Sequence, residues 1–253
     1  GKTWERVLHI SDDTGVNEVH FDPSNPDVLY ASAYQRRRHV WTLVNGGPES
    51  GIHKSTDAGK TWRKITSGIP ACDKGRIGMA VSPANPDIVY AIIEAQDKDG
   101  GFFRSLDRGE TWAKMCDYNA SSPQYYHELV CDPKNPDRVY SLDTFMQVTN
   151  DGGKSFSRVP GKSRHVDDHA LYIDPHDTNY LLVGCDGGIY ESFDRAENWT
   201  HKGNLPITQF YRVAVDNGTP FYYVYGGTQD NNTLGGPSRT KSPAGIANEE
   251  WFS

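Results

Sequence analysis

No apolar run in this sequence approaches the ~20 residues that cross a bilayer as a helix. Nor is there an excess of cations, because 26 Lys and Arg against 33 Asp and Glu leave a net charge of −7. The first absence excludes a transmembrane helix from this stretch, and the second argues against nucleic acid as a partner. Cysteine is scarce: Cys72, Cys116, Cys131 and Cys185 show no CxxC or CxxxC spacing that would suggest zinc, and no cofactor is expected. Cys131 falls in a strand position filled elsewhere by Phe21, Val81, Ile173 and Val215, which reads as a buried thiol. A signal peptide is not visible either. The chain begins inside a repeat, however, so that absence excludes nothing.

Glycine and proline are plentiful, at 25 and 15 residues, which suits many short strands joined by tight turns. The strongest pattern is Ser55-Thr56-Asp57-Ala58-Gly59-Lys60-Thr61-Trp62. It returns at 105–112 around Asp107 and Trp112, at 149–156 around Asp151 and Phe156, and at 192–199 around Asp194 and Trp199. Gly1-Lys2-Thr3-Trp4 is the second half of a further copy. Ser and Asp stop a strand and accept backbone N–H bonds, Gly supplies positive φ, and Thr-Trp starts the return strand with an apolar anchor. Each copy reads as a β-hairpin. In the last copy Ala196 replaces Gly, so that turn is expected to be strained or built differently.

A second repeat interlocks with the first. Asp22-Pro23-Ser24-Asn25-Pro26-Asp27-Val28-Leu29-Tyr30-Ala31 recurs from Ser82, Asp132, Asp174 and Asp216, each time behind an apolar stretch. The unit is then strand, Pro-Asn turn, strand, loop, strand, Asp turn, strand. Turn starts at 22, 82, 132, 174 and 216 repeat it at spacings of 60, 50, 42 and 42 residues. Four strands on such a period predict an all-β, β-propeller segment of four-stranded antiparallel blades, with four complete blades and partial blades at both ends. The expected boundaries are 1–10 for the last strand of a preceding blade, 16–65, 76–115, 125–159 and 168–202 for full blades, and 209–253 for the start of another. The chain reads as a fragment whose remaining blades complete it.

Because strands run up and down, the two kinds of turn share one face and the longer loops share the other. Asp57, Asp107, Asp151 and Asp194 belong to the turn face and are structural. Ligand residues are therefore sought on the loop face, where irregular segments gather. Arg36, Arg37, Arg38 and Trp41 lie in the longest loop, 34–50, and combine anion-binding guanidinium groups with a stacking ring. Tyr126, His127, His169, Tyr211 and Arg212 stand at the entries to first strands, with His127, His169 and Tyr211 each five residues before a Pro-Asn turn. Gln229, Asp230 and Asn231 lie in the amide-rich and glycine-rich loop 226–236. Two His four apart, His165 and His169, stand ~13 Å apart on a strand and do not make a metal site alone. Carboxyl candidates for catalysis on this face are Glu18, Glu128, Asp167, Asp168, Asp186 and Asp230.

The Asp turns, together with Gly-Gly-Ile-Tyr-Glu-Ser-Phe-Asp at 187–194, the Pro-Asn-Pro-Asp turns and Gly-Thr-Gln-Asp-Asn at 227–231, resemble the Asp-box or BNR repeat. The likeness is to large bacterial BNR-repeat, glycosyl-hydrolase-like proteins related to the sortilin VPS10 domain. The resemblance implies an extracellular, periplasmic or cell-surface location and a module that binds a protein, peptide or glycan on its loop face. Its alternatives are a xyloglucanase-type glycoside hydrolase, which needs two carboxyl groups at a set separation, and a structural subunit of a cell-surface complex. A sialidase is disfavoured, since only Gly75-Arg76-Ile77-Gly78 comes near the Arg-Ile-Pro motif of that family.

Overall fold

The computed structural model describes residues 1–205, 209–228 and 232–253. The described residues divide into two compact units, 1–203 and 204–253. Gln229, Asp230 and Asn231 lie outside the described residues.

In the first unit four antiparallel sheets follow one another along the chain. The first contains β1 (Thr14–Asp22), β2 (Asn25–His39), β3 (Thr42–Asn45), β4 (Gly51–Ser55) and β5 (Arg63–Ile65). The second contains β6 (Lys74–Val81), β7 (Val89–Ala95), β8 (Gly101–Ser105) and β9 (Ala113–Cys116). The third contains β10 (Leu129–Cys131), β11 (Val139–Ser141), β12 (Gln147–Thr149) and β13 (Ser157–Arg158). The fourth contains β14 (Asp168–Ile173), β15 (Leu181–Cys185), β16 (Gly188–Ser192) and β17 (Thr200–His201). Each sheet is ordered as its strands occur in sequence, the first carrying β3 as a side branch on β2. This all-β arrangement is a β-propeller segment, the class that the two interlocked repeats predict. The second unit holds a three-stranded sheet of β18 (Phe210–Val215), β19 (Tyr223–Thr228) and β20 (Thr233–Pro237).

The core lies between successive sheets. Val28, Tyr30, Ile52 and Ile65 of the first pack with Ile77, Met79, Val89, Phe103 and Trp112 of the second. Tyr90, Ile92 and Phe102 of the second pack with Leu129, Cys131 and Val139 of the third. Tyr140 and Leu142 of the third pack with Ile173, Leu181, Val183 and Trp199 of the fourth. Alternation along each strand sends one side chain to each neighbouring sheet, so both faces of an inner blade are buried. Polar bonds tie the same layers: the Tyr30 hydroxyl donates to Arg108 O at 2.8 Å and the Tyr90 hydroxyl to Pro136 O at 2.7 Å.

The Asp turns share one geometry. In the first, Gly59 N donates to Ser55 Oγ at 2.9 Å, Thr61 N to Asp57 Oδ1 at 2.8 Å and Thr61 Oγ1 to Asp57 Oδ2 at 2.6 Å. Two consecutive residues adopt positive φ in every copy, Ala58 and Gly59 at 60° and 82°, Arg195 and Ala196 at 62° and 73°. The Ala196 turn is therefore the same turn held by a residue that resists it, with Ala196 N still 2.9 Å from Ser192 Oγ. What changes is the tryptophan. Trp62 and Trp112 donate to the glycine carbonyl of their own turns, whereas Trp199 Nε1 donates to Pro160 O at 3.1 Å.

Three expectations about segments need correction. The last strand of a preceding blade expected within 1–10 is not formed, since residues 1–10 carry no strand pairing; a last strand gains hydrogen bonds only from the third strand of its own blade. The expected loop 34–50 is largely a β-hairpin, because β2 runs on to His39 and pairs with β3 in the register Arg36 with Asn45 to His39 with Thr42. Much of 226–236 is likewise strand, with Gly226 opposite Leu234 and Gly227 opposite Thr233. In both, consecutive backbone groups find partners across a hairpin that composition alone reads as loop.

Candidate functional site

One irregularity recurs at the entry to the first strand of each blade. The pairing of first and second strands shifts between Val16 and Glu18, between Lys74 and Ile77, between Asp168 and Ala170, and, in the second unit, between Phe210 and Arg212. A bulge leaves an extra residue unpaired and re-aims its side chain. Asn17, Arg76, His169 and Tyr211 are the residues so released, and in the third blade His127 takes φ of 93° at the corresponding place. In the first unit these bulges lie at the end of the strands opposite the Asp turns, which is the loop face.

Around Arg76 the bulge assembles a polar network from three blades. Arg76 Nη2 lies 2.6 Å from Glu128 Oε1 and 3.7 Å from Glu18 Oε1, while Nη1 donates to Gln124 O at 3.2 Å. Glu18 Oε2 accepts Met79 N at 2.9 Å and lies 3.1 Å from His20 Nε2. Arg76 N donates to Glu94 Oε2 at 3.1 Å, and Asn45 Nδ2 donates to Glu94 Oε1 at 3.2 Å. The chain of contacts ends at the Tyr34 hydroxyl, which donates to Asn45 Oδ1. Five buried polar atoms of this network find no hydrogen-bond partner among the described residues: Glu18 Oε1, Arg76 Nε, Gln124 Oε1, His127 Nε2 and Glu128 Oε2. A buried polar atom without a protein partner is costly and calls for a partner such as a water, an ion or a ligand group.

A hollow of ≈ 240 Å³ adjoins the network, lined by Asn45, Gly46, Asp73, Lys74, Glu94 and Gln96 among others. Burial raises the Glu94 carboxyl above the usual carboxylate range, against the opposing hydrogen bonds from Arg76 N and Asn45. The Lys74 ammonium is turned away, donating to Pro70 O and Cys72 O at 3.0 and 2.7 Å. The hollow is thus edged by acceptors.

A second constellation repeats the plan between the third and fourth blades. The Tyr126 hydroxyl donates to Asp167 Oδ1 at 2.6 Å, its ring stacks on His169 at 5.5 Å, and His169 Nε2 lies 3.4 Å from Asp186 Oδ1. Burial first, and the Asp167 carboxylate second, push the Tyr126 hydroxyl up to about 12.

Other candidates are placed differently from expectation. His127 is fully buried inside the Arg76 network and not on an open channel wall, its Nδ1 donating to Arg76 O at 3.2 Å, and burial drives its imidazole down to about 3. Asp168 is fully buried, paired with the Arg164 guanidinium and accepting Met146 N at 3.1 Å, and does not stand on the open loop face. Glu18 and Glu128 are close together but joined through Arg76, so the guanidinium occupies the space a substrate would need. Arg37 pairs with Asp13, and Arg36, Arg38 and Trp41 stand on the exposed hairpin. In the second unit Tyr211 is exposed, and Arg212 lines a hollow of ≈ 350 Å³ with Val213, Tyr225 and Thr233. Cys131 is buried in the core between the second and third sheets. Among the described residues no three or more His, Cys, Asp or Glu come together as metal ligands, and no helix is long and apolar enough to cross a membrane.

Glu94 and Asn45 escape a reading by motif, and Arg76 enters one only as part of a near miss to Arg-Ile-Pro, yet repeat arithmetic marks Arg76 and Glu94. Arg76 stands six residues before its Pro-Asn turn, as Tyr126 and Asp168 do. Glu94 stands twelve after the turn start, as Asp186 does.

No family model and no curated protein matches the sequence. Solved structures do match in fold. An ancestral GH74 enzyme superposes with a TM-score of 0.57 at 16% identity over 94% of this chain and 32% of its own. The GH74 xyloglucanase from Xanthomonas campestris gives 0.53 at 20% identity over 88% of this chain and 37% of its own. YCF48 bound to D1 peptide gives 0.51 at 11% identity over 97% of this chain and 68% of its own. The chain spans about a third of the length of the GH74 chains it matches. At these identities the likeness is one of propeller fold.

Proposed function

We propose that this protein is an exported Asp-box propeller of the sortilin-like kind that binds a peptide segment of a partner protein at the loop face of its first unit. The observation that carries the reading is the set of unsatisfied buried atoms around Arg76. Four of the five, on Glu18, Gln124, Glu128 and the neutral His127 whose Nδ1 donates to Arg76 O, are acceptors, and the adjoining hollow adds Glu94 and Asp73. The complementary ligand supplies N–H donors, as a peptide backbone with a Lys or Arg side chain does. A propeller of similar fold described as bound to a peptide supports the class of ligand. The test is a screen of the full-length protein against arrayed peptides that differ in basic residues, followed by calorimetry. Glu94→Gln and Glu128→Gln are expected to weaken the best peptide about tenfold each, the ~1.4 kcal/mol of one charge-assisted hydrogen bond. Equal affinity in both variants would remove the reading.

One observation favours a second reading, a glycoside hydrolase. Burial moves the Glu94 carboxyl upward, the direction a general acid requires, and Asp73 lines the same hollow. Reducing ends released from a polysaccharide panel, and lost in Glu94→Gln, would replace binding with hydrolysis.

A further inference from the structure

The outer part of the hairpin of β2 and β3, from Arg37 to Val44, serves neither the core nor the Arg76 network, which reach only Tyr34 and Asn45 at its base. Beyond Gln35 its residues Arg36 to Leu43 are exposed, Val40 completely and Trp41 to 81%. Leu43 and Val44, at 47% and 42%, continue the apolar surface one or two rungs behind the tip. Directly opposed residues of an antiparallel pair share a face. Arg38 therefore lies beside Leu43 on one face and Arg37 beside Val44 on the other. The Trp41 ring stacks on His39 at 5.2 Å and 8°, which holds the indole at the tip. Residues 34–48 contain three Arg and no Asp or Glu in a chain of net charge −7. Arg37 is paired with Asp13, and Arg36 meets the Tyr34 hydroxyl. Arg38 has no ion pair or hydrogen bond among the described residues.

Two features must be explained together: an apolar tip and cations set back from it. A sugar ring uses the flat face of Trp41 but has no use for Val40, Leu43 and Val44. An acidic protein segment uses the guanidinium groups but leaves the tip in water. An anionic bilayer uses both. At ~3.3 Å per residue the guanidinium-bearing positions 37 and 38 stand ~7–10 Å behind the tip. That matches the ~5–10 Å to which interfacial elements sink their apolar side. Trp is the residue that favours that depth, and Arg pairs with the phosphates above it.

We infer that the β2–β3 hairpin is a membrane-surface anchor, inserting Val40 and Trp41 into the interface of a bilayer rich in anionic phospholipid while Arg36 and Arg38 bind headgroup phosphates. The anchor is independent of the peptide site, and the two are tested apart. The experiment is co-sedimentation of the full-length protein with vesicles of phosphatidylcholine alone and of phosphatidylcholine mixed with phosphatidylglycerol. Sedimentation is expected only with the mixture, and it weakens as salt is raised. Arg38→Gln lowers the partition about fivefold, the ~1 kcal/mol of one cation at an anionic surface. Val40→Asp/Trp41→Asp abolishes it while circular dichroism and peptide binding stay those of the parent, since both side chains are exposed. Three results overturn the inference: a parent protein that stays in the supernatant, a tip variant that sediments like the parent, or retention by a soluble acidic peptide or glycan in place of vesicles.

Discussion

Arg76 Nη2 is 2.6 Å from Glu128 Oε1, and this bond joins the entry of one blade's first strand to that of the next. Through the same nitrogen, and through Met79 N on the same strand, the pair reaches Glu18 in the blade before. Three blades are thus fastened at the loop face by one bulged arginine, while tyrosine hydroxyls fasten them towards the turn face. The same guanidinium sets the position of the acceptors proposed to meet a peptide.

Removing that arginine leaves two partly buried carboxylates without a counter-charge. Arg76→Ala is expected to lower stability by about 3 kcal/mol, at the low end for a broken buried pair because Glu128 is 35% exposed. Urea denaturation measures it, and Arg76→Met with Glu18→Gln and Glu128→Gln should recover part of the loss.

His127 gives the clearest dependence on pH. Its imidazole takes a proton near 6.5 when unfolded but only near 3 when buried beside Arg76. The folded state therefore binds fewer protons between those values, so this group's contribution is complete above pH 6.5 and declines as pH falls towards 3. Proton NMR should show the His127 ring neutral at pH 5. In His127→Asn, whose side chain tolerates φ of 93°, the slope of stability over that interval should be shallower.

The Asp turns act lower on the scale. Hydroxyl and backbone N–H donors hold Asp57 and Asp151 at about 2, and overcome an opposing burial effect to hold Asp107 at about 2, against an ordinary 3.8. Their contribution is present above pH 3.8 and lost as pH falls towards 2. Asp107→Asn and Asp151→Asn should unfold at lower urea at pH 7 and show less further loss across that window. A parent protein whose urea midpoint is flat from pH 4 to 2 would contradict the assignment.

Glycine is required where two backbones meet. A Cβ at Gly78 would stand 1.6 Å from His127 O, so Gly78→Ala must push two blades apart. A loss of about 3 kcal/mol or failure to fold is expected, read from the soluble yield and the urea midpoint.

The two versions of the Asp turn make a matched pair. Gly109→Ala imposes a side chain at φ of 76° with its Cβ 2.9 Å from the Tyr30 ring, and should cost about 2 kcal/mol. Ala196→Gly relieves φ of 73° by ~1 kcal/mol but removes a buried methyl worth ~0.8 kcal/mol, so its midpoint should barely move.

Periodicity and turn chemistry are local, and the sequence alone therefore determined the all-β class, the four-stranded unit and the turn-forming role of Asp57, Asp107, Asp151 and Asp194. It also puts the polar residues at strand entries into register, which marks Tyr126 and His169, and places Asp186 in a loop of the same face. Burial is not local. His127 and His169 share a repeat position, yet one is sealed against the next blade and the other is open, because only the packing of neighbouring blades decides how much water each side chain meets. Asp168 stands at a strand entry in the sequence, yet the fold buries it against Arg164, four residues before it. The same holds for Arg76 and Glu94, ordinary charged residues in the sequence that a bulge and an interblade contact turn into the centre of the site.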